Sequence, residues 1–373
     1  MSKTKAPKER KKYLDIDVYQ ASKERINHII DAFDTVLVCF SGGKDSLAVL
    51  HLVEEVYKER GINKKIKVVF RDEELIPDNV VEFVQEMYES GKYDFRYYAI
   101  PLLSQKYVLG NIDEYVQWDP NREWIRQPPA YAIRLPEGDK RVFSQYDADA
   151  FICKDEKGKV AMLTGIRASE SLLRFQSVMV KKNETYICDT KADGVKLCKP
   201  IYDWSENDIF LYFYQKKINY CKIYDEQTFN GETLRVSTSL HAESAKQFDK
   251  LKTRCPSYYQ QVVDLFPEML VQGRYYKEFN GTKDFSQYAR SIDGLKKFAV
   301  DSIENPVLLS KAMDIIARAE SWRRKRIPKL ENNYSGYPLM YVFEAIAKGN
   351  VKRGMLLPCC NVKKAYIDFE NGV

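Results

Sequence analysis

The stretch VLVCFSGGKDSLAVLHL, residues 36–52, joins two apolar runs through the six residues SGGKDS. The first run is typical of a short buried strand over residues 35–40, and the second of a helix over residues 47–57 that packs against a sheet. Glycine disfavours both elements, so we expect a tight turn between them. Such a turn, leading from a strand into a helix, offers free backbone N–H groups and the positive end of the helix dipole. The stretch therefore predicts a phosphate-binding loop.

The side chains of this loop suit the same role. Gly42 and Gly43 permit unusual φ angles and a close approach of the backbone to a phosphate, and Lys44 adds a positive charge. Ser41 and Ser46 offer hydroxyl donors. We therefore expect all five residues to contact the bound anion.

The loop differs from two well-known nucleotide loops. The Walker A pattern GxxxxGK[ST] would require glycine in place of Val38 and a Ser or Thr in place of Asp45, and the chain has no GxGxxG fingerprint. Two roles stay open for Asp45. It binds Mg²⁺, directly or through water, or it caps the following helix.

Strands and helices alternate on both sides of the loop. Further strands are predicted at residues 65–70, 95–102 and 160–166, a helix at residues 78–90 with Asp78 as its cap, and another helix after Ser205. This alternation predicts right-handed βαβ units. The fold class is therefore α/β, with a doubly wound, mostly parallel, Rossmann-like sheet.

We divide the chain into three parts. Residues 1–15 form a basic flexible arm, residues 16–235 a nucleotide-binding domain, and residues 236–373 a mostly helical C-terminal domain. Residues 103–159 are an insertion near the active face, because this segment is too long for a simple connection. Its many aromatic residues form either a small local core or a platform for stacking bases.

Composition limits the classes of function. The net charge of +6 comes almost entirely from the arm, which predicts a solvated tail or a weak nucleic-acid contact, as does RRKR at residues 323–326. No apolar run approaches the roughly 18 residues of a membrane helix, so we expect a cytoplasmic protein without membrane contact. The 8 cysteines form no CxxC pair, and neither zinc nor an iron–sulfur cluster is predicted.

Four segments together resemble a known family. SGGKDS resembles the PP-loop of the ATP pyrophosphatase (adenine nucleotide alpha-hydrolase) superfamily. FRDEELIPDNVVEFV, LTGIRASESLLR and KPIYDWSENDIFLYF resemble, in the same order, the branch containing phosphoadenosine phosphosulfate reductase and the small subunit of ATP sulfurylase. The C-terminal part is similar to an extension in an uncharacterised branch. Some members of that branch are encoded beside ParB-like proteins, which implies a ParB-like partner.

The resemblance implies ATP and Mg²⁺ as ligands, with Lys44, Asp45 and Arg167 in catalytic roles. The nucleotide-binding residues that it implies are Ser41, Gly42, Gly43, Lys44, Asp45, Ser46, Phe70, Asp72, Gly165, Arg167 and Arg174. By analogy, the backbone of Phe70 faces the adenine. Asp72 contacts ribose, adenine or metal, or is a turn aspartate, and Glu74 is a solvated charge.

The two arginines and the reaction leave alternatives open. Arg167 and Arg174 grip a phosphate or a sulfate-like anion, or they pair with Glu170. The resemblance favours cleavage of ATP between the α- and β-phosphates. Sulfonucleotide reduction is the alternative, although the reductases' E-C-G-[IL]-H motif is absent and the chain offers only Cys359 and Cys360. A third reading is an ATP-dependent regulator or nucleic-acid-modification partner. The acceptor and the oligomeric state stay open, a homo-oligomer included.

Overall fold

The computed structural model describes residues 13–178, 184–281, 285–324 and 339–347. The chain divides into two compact units. The larger comprises Asp15–Val108 and Asp113–Gly273, and the smaller comprises Arg274–Val373 with Met1–Leu14 and Leu109–Ile112. Most of the basic arm, residues 325 and 326 of the basic cluster, and both Cys359 and Cys360 lie outside the described residues.

The larger unit is built on a six-stranded sheet. The described strands are β1 Thr35–Phe40, β2 Lys67–Arg71, β3 Asp94–Tyr98, β4 Leu102–Val108, β5 Asn111–Gln117, β6 Val160–Leu163, β7 Ile187–Asp189 and β8 Val195–Cys198. The sheet order is β3-β2-β1-β6-β8-β7, and every pairing is parallel except that of β7 with β8. The predicted doubly wound, mostly parallel α/β fold is confirmed.

Helices accompany the sheet and continue to the end of the described chain. They are α1 Val18–Ala32, α2 Lys44–Glu59, α3 Asp78–Glu89, α4 Gln145–Cys153, α5 Leu172–Ser177, α6 Glu206–Lys216, α7 Ile223–Phe229, α8 Ala242–Ala245, α9 Phe248–Arg254, α10 Pro256–Leu265, α11 Met269–Gly281, α12 Ile292–Ser302, α13 Pro306–Arg324 and α14 Leu339–Ala347. None of the helices in the described part of the chain is both long enough and apolar enough to span a bilayer.

The two faces of the sheet carry separate apolar cores. Val38 of β1 packs in a cluster with residues of α1, α2 and α3. The preceding residue, Leu37, packs in a different cluster, with Ile152 of α4. Alternate strand residues point to opposite faces, so a buried strand must be apolar on both. This explains the unbroken apolar run before the loop.

Two helix starts differ from the predictions. Helix α2 begins at Lys44 rather than at residue 47, so Asp45 lies in its first turn, where a carboxylate complements the helix dipole. The prediction that Asp78 caps α3 is wrong, because Pro77 is the N-cap and Asp78 is already helical. Ser205 caps α6 as predicted, since its hydroxyl accepts from the backbone N–H of Asp208.

The insertion has structure of its own. It contains the β4–β5 hairpin and helix α4, none of which the sequence predicted. Its Trp118 is buried and contacts Trp124 edge-on, with the ring centroids 5.4 Å apart. These two aromatic residues therefore form part of a local core.

The smaller unit has its own apolar core. Helices α12, α13 and α14 pack around a buried cluster that includes Phe298, Ile315 and Phe343. The aromatic rings of Phe298 and Phe343 lie 4.7 Å apart between centroids. The helical character predicted for this C-terminal region is confirmed.

Candidate functional site

The loop after β1 is short and pressed against α3. Only residues 41–43 separate β1 from α2. Gly42 has a φ of +73°, and a β-carbon there would lie 2.8 Å from Cγ1 of Val80 and 3.0 Å from Cγ2 of Val84. Both the backbone conformation and the lack of space therefore require glycine.

Two serines hold the loop closed. The hydroxyl of Ser46 accepts from the backbone N–H of Ser41 at 3.1 Å and donates to the carbonyl of Gly43 at 2.9 Å. The two serine hydroxyls lie 3.0 Å apart. Ser46 is buried beneath the loop that its hydrogen bonds hold closed, whereas Ser41 is exposed to solvent. The structure therefore gives the two serines different surroundings.

Charged side chains converge at the start of α2. Nζ of Lys44 lies 3.2 Å from a carboxylate oxygen of Asp45 and 3.2 Å from one of Glu206. Nε of Arg167, which follows β6, donates to Asp45 at 2.6 Å. The side chains of Lys44 and Arg167 are 3% and 5% exposed, while that of Glu206 is 46% exposed. Two buried cations therefore share one half-buried and one exposed carboxylate.

Gly165 brings the segment after β6 against α2. A β-carbon on Gly165 would lie 2.5 Å from the carbonyl carbon of Asp45 and 2.5 Å from the backbone nitrogen of Ser46. Real β-carbons do not approach backbone atoms so closely, so this position has no room for a side chain. The glycine permits the crossing that places Arg167, two residues later, beside Asp45.

Glu170 links the two arginines of the segment. Its carboxylate accepts from the backbone N–H of Arg167 at 3.1 Å and forms an ion pair with Arg174. The pairing with Glu170 that the sequence left open is thus present for Arg174, and for Arg167 at the longer distance of 4.0 Å. The shortest ion pair of Arg167 is with Asp45.

Two residues of the site had not been singled out from the sequence. The hydroxyl of Tyr224 accepts from the backbone N–H of Lys44 at 2.8 Å, and Nζ of Lys44 lies 5.1 Å from its ring centroid. Burial raises the pKa of Tyr224 well above its ordinary value, so the phenol stays neutral. Tyr224 lies in no recognisable motif. Glu206 follows the predicted cap Ser205, but nothing local indicates its pairing with Lys44.

Asp72 and Phe70 lie at the end of β2, next to the loop strand. Phe70 is buried within β2. The carboxylate of Asp72 is fully buried and accepts from the backbone N–H of Glu74 at 2.9 Å, from Arg126 at 2.8 Å and from the hydroxyl of Tyr97 at 2.5 Å. Protein groups thus engage both of its oxygens. The contacts of Phe70 and Asp72 with nucleotide remain predictions.

Glu74 is not the solvated charge expected from the sequence. Its side chain is 0% exposed and forms two contacts with the guanidinium of Arg122, at 2.7 and 2.5 Å. It also accepts from the backbone N–H of Trp118 at 2.6 Å, and its φ is +60°. The expectation was wrong because the partners come from the insertion, far along the chain.

Within the described ranges, no three His, Cys, Asp or Glu side chains converge in a way that would hold a metal ion. Burial raises the pKa of the Cys153 and Cys198 thiols to about 12 and that of Cys221 to about 11. These thiols are therefore protonated near neutral pH.

The family follows from residues 35–262, which match the model of the phosphoadenosine phosphosulfate reductase domain. The match spans more than half of the chain, and the chain belongs to this family. It confirms the resemblance drawn from the four motifs. An uncharacterised Escherichia coli K12 protein, YbdN, is 33% identical over 214 residues, which are 54% of this chain and 52% of that protein. The match thus spans about half the length of that relative.

The solved structures that match this chain are more remote. Candida glabrata FMN adenylyltransferase in complex with FAD and pyrophosphate has a TM-score of 0.38 at 14% identity, covering 56% of this chain and 59% of that one. Phosphoadenylyl-sulfate reductase from Candida auris has a TM-score of 0.33 at 12% identity, covering 58% and 90%. Likeness this remote does not identify a substrate.

Proposed function

We propose that the protein binds ATP at residues 41–46 and cleaves it between the α- and β-phosphates, giving AMP or an adenylylated acceptor together with pyrophosphate. The observation that carries the proposal is the pair of buried cations, Lys44 and Arg167, at the N-terminus of α2. Family membership supports the ligand class, because the substrate in the family's name is an adenine nucleotide.

The charge arrangement favours exchange of a carboxylate for a phosphate. A buried cation requires a nearby anion, and Glu206 supplies one to Lys44 from an exposed position. Because the side chain of Glu206 is 46% exposed, water can hydrate its carboxylate when it leaves, provided that another anion takes its place beside Lys44. A triphosphate carries more negative charge than one carboxylate and also accepts from the backbone N–H groups of the loop. Glu206 therefore marks where phosphate would enter.

The same side chains suit the proposed cleavage. Lys44, Arg167 and the loop amides would stabilise the charge that develops on the leaving pyrophosphate. Asp45 holds the guanidinium of Arg167 through the 2.6 Å contact and so fixes its direction. Tyr224, which stays neutral, keeps a hydroxyl beside the N–H of Lys44. The remaining task of the protein would be to hold the acceptor opposite the leaving pyrophosphate, in line with the bond that is cleaved.

Magnesium fits this donor set when nucleotide is present. Mg²⁺ is usually held by one or two carboxylates together with substrate phosphates. The carboxylate of Asp45 is 18% exposed at the loop. Its Oδ1 holds Arg167, so Oδ2, which lies 3.2 Å from Nζ of Lys44, would be the oxygen to share the ion with phosphate oxygens. When bound, Mg²⁺ would neutralise part of the phosphate charge.

Thiol chemistry has less support in the described residues. A cysteine nucleophile needs a lowered pKa, whereas burial raises the pKa of Cys153, Cys198 and Cys221. Cys359 and Cys360 lie outside the described residues. We therefore favour ATP cleavage over sulfonucleotide reduction, and the experiment below distinguishes the two reactions.

The test uses Mg-ATP labelled at the α- and γ-phosphates, with and without candidate acceptors. We expect labelled AMP, or an adenylylated product, and labelled pyrophosphate. Lys44→Ala should lower the rate by about 10²–10³-fold, because it removes a group that stabilises the transition state. Lys58→Ala, an exposed lysine on the same helix, is the matched control and should be unchanged.

Three results would contradict the proposal. ADP and phosphate as products would place the cleaved bond elsewhere. A normal rate for a folded Lys44→Ala variant would overturn the site. Sulfite release from phosphoadenosine phosphosulfate with a thiol donor, lost in Cys360→Ser, would establish the reductase instead.

A further inference from the structure

A small cavity with several charged residues in its lining lies beside the phosphate loop. It has a volume of about 40 Å³ and is lined by α7, α9 and the connecting residues 232–247. This volume has room for about three water-sized groups. The cavity is therefore too small for a nucleotide but large enough for the head group of a small molecule.

Buried charged atoms in this cavity lack partners. The side chains of Arg254 and Glu232 are 7% and 3% exposed, and their nearest charged atoms are 3.6 Å apart, beyond a normal hydrogen bond. In the described structure, Nε and Nη1 of Arg254 and Oε1 of Glu232 have no hydrogen-bond partner. Buried charged atoms without a partner are unfavourable, because they have lost water and gained nothing in its place. Two donors and one acceptor on residues of the cavity wall are therefore left without partners.

Arg235 is a second arginine in the lining of the cavity. Gln227 accepts from the backbone N–H of Arg235 at 2.9 Å and donates to its carbonyl at 2.7 Å. These two bonds fix the backbone of Arg235 at the cavity wall. Two arginines and two glutamates thus line the cavity. Glu243 is 53% exposed and already pairs with Lys246. The remaining charges, Arg235, Arg254 and Glu232, therefore favour a ligand that has an oxyanion and a donor next to it.

Helix α7 contacts both the phosphate loop and the lining of the cavity. Tyr224, which bonds to the backbone N–H of Lys44, and Gln227, which holds Arg235, are three residues apart on α7. A β-carbon at Gly43 would lie 3.7 Å from Cβ of Val236, the residue after Arg235. A group bound in the cavity would therefore be close to the phosphates of a nucleotide on the loop.

We infer that this cavity binds the head group of the acceptor, a small carboxylate that bears an amino or hydroxyl donor. The assignment of this ligand as the acceptor rests on the proposed ATP cleavage. The carboxylate would accept from Arg235 and Arg254, and the amino or hydroxyl group would donate to Glu232. A fully ionised sulfate has no donor for Glu232 and is disfavoured by the charge of that carboxylate.

The experiment measures binding of glycine, glycolate, acetate and sulfate to the full chain by ligand-observed NMR, without nucleotide. We expect glycine and glycolate to bind with a dissociation constant on the order of 1 mM or tighter, and acetate and sulfate about tenfold more weakly. Arg235→Ala should weaken glycine and acetate alike, about tenfold. Glu232→Gln should weaken glycine by a similar factor and leave acetate unchanged.

Controls separate this inference from the proposed function. Arg134→Ala, an exposed arginine in the same unit, should bind glycine as the parent does, and circular dichroism verifies that each variant is folded. Lys44→Ala should lose ATP binding and keep glycine binding. Glycine binding without ATP cleavage would refute the proposed function alone.

The inference itself would be overturned by either of two results. Failure of all four probes to bind would indicate that water alone fills the cavity. Glycine binding that Arg235→Ala leaves unchanged would place the ligand elsewhere.

Discussion

Clusters of acidic and basic side chains stand at the ends of two neighbouring strands, and they differ in exposure. After β1, Lys44 pairs with Glu206, whose side chain is 46% exposed. After β2, the carboxylates of Asp72 and Glu74 are both 0% exposed. The parallel strands direct both clusters to the same edge of the sheet, where ligands of such folds collect.

The difference in exposure separates a binding site from a scaffold. Glu74 accepts from the backbone N–H of Trp118 and pairs with Arg122, so its removal would leave a largely buried cation unpaired. Glu206 faces water, which can hydrate both it and an incoming anion. The buried glutamate after β2 therefore holds the insertion in place. The exposed glutamate in the cluster after β1 can instead give way to an incoming anion.

Truncation of the buried acid should have the largest effect. Glu74→Ala is expected to lower the free energy of unfolding by about 3–5 kcal/mol, because it leaves the charge of Arg122 without its partner. Urea denaturation followed by circular dichroism measures the change. Nucleotide binding is measured under conditions where the variant is still folded.

The matched control removes an acid from an exposed ion pair. Glu59 pairs with Lys23 and its side chain is 52% exposed, so Glu59→Ala should cost less than about 1 kcal/mol. Similar losses for Glu59→Ala and Glu74→Ala would show that burial does not distinguish the two kinds of pair.

Local patterns in the sequence predicted the first cluster better than the second. Strand β1, the SGGKDS loop and the glycine at position 165 are each readable from a few adjacent residues. Glu74 was misjudged because its partner Arg122 lies 48 residues further on, in a segment without a clear period. Tyr224 was missed for the same reason, since it meets Lys44 across 180 residues. Pairings that depend on tertiary structure have no local signal.

Gly165 lies directly against the backbone of α2, next to the phosphate loop. Gly165→Ala places a β-carbon where backbone atoms of Asp45 and Ser46 lie at 2.5 Å, so α2 or the segment after β6 must shift. We expect a loss of about 1–3 kcal/mol in the free energy of unfolding, with ATP affinity weakened as well. Urea denaturation and calorimetric titration with ATP measure the two effects.

Gly273→Ala is the control for that change. Its nearest neighbour is a side-chain atom of the buried Phe248 at 3.3 Å, so a β-carbon requires a shift of only a few tenths of an ångström, and alanine favours a helix. This variant should be neutral or slightly stabilised. If Gly165→Ala behaved the same way, the close crossing of α2 would not constrain the loop.

The smallest expected effect is also the most direct test of exchange at Glu206. Glu206→Gln keeps the shape of the side chain but removes the charge that competes for Lys44, so ATP affinity without Mg²⁺ should rise by up to about fivefold, the equivalent of an exposed ion pair. Titration in the presence of a chelator measures it, and Lys44→Ala with Glu206→Gln should abolish the gain. Weaker ATP binding in Glu206→Gln would mean that the carboxylate supports the nucleotide rather than giving way to it. Greater exposure would then not mark Glu206 as the exchangeable acid, and the contrast between the two clusters would fail.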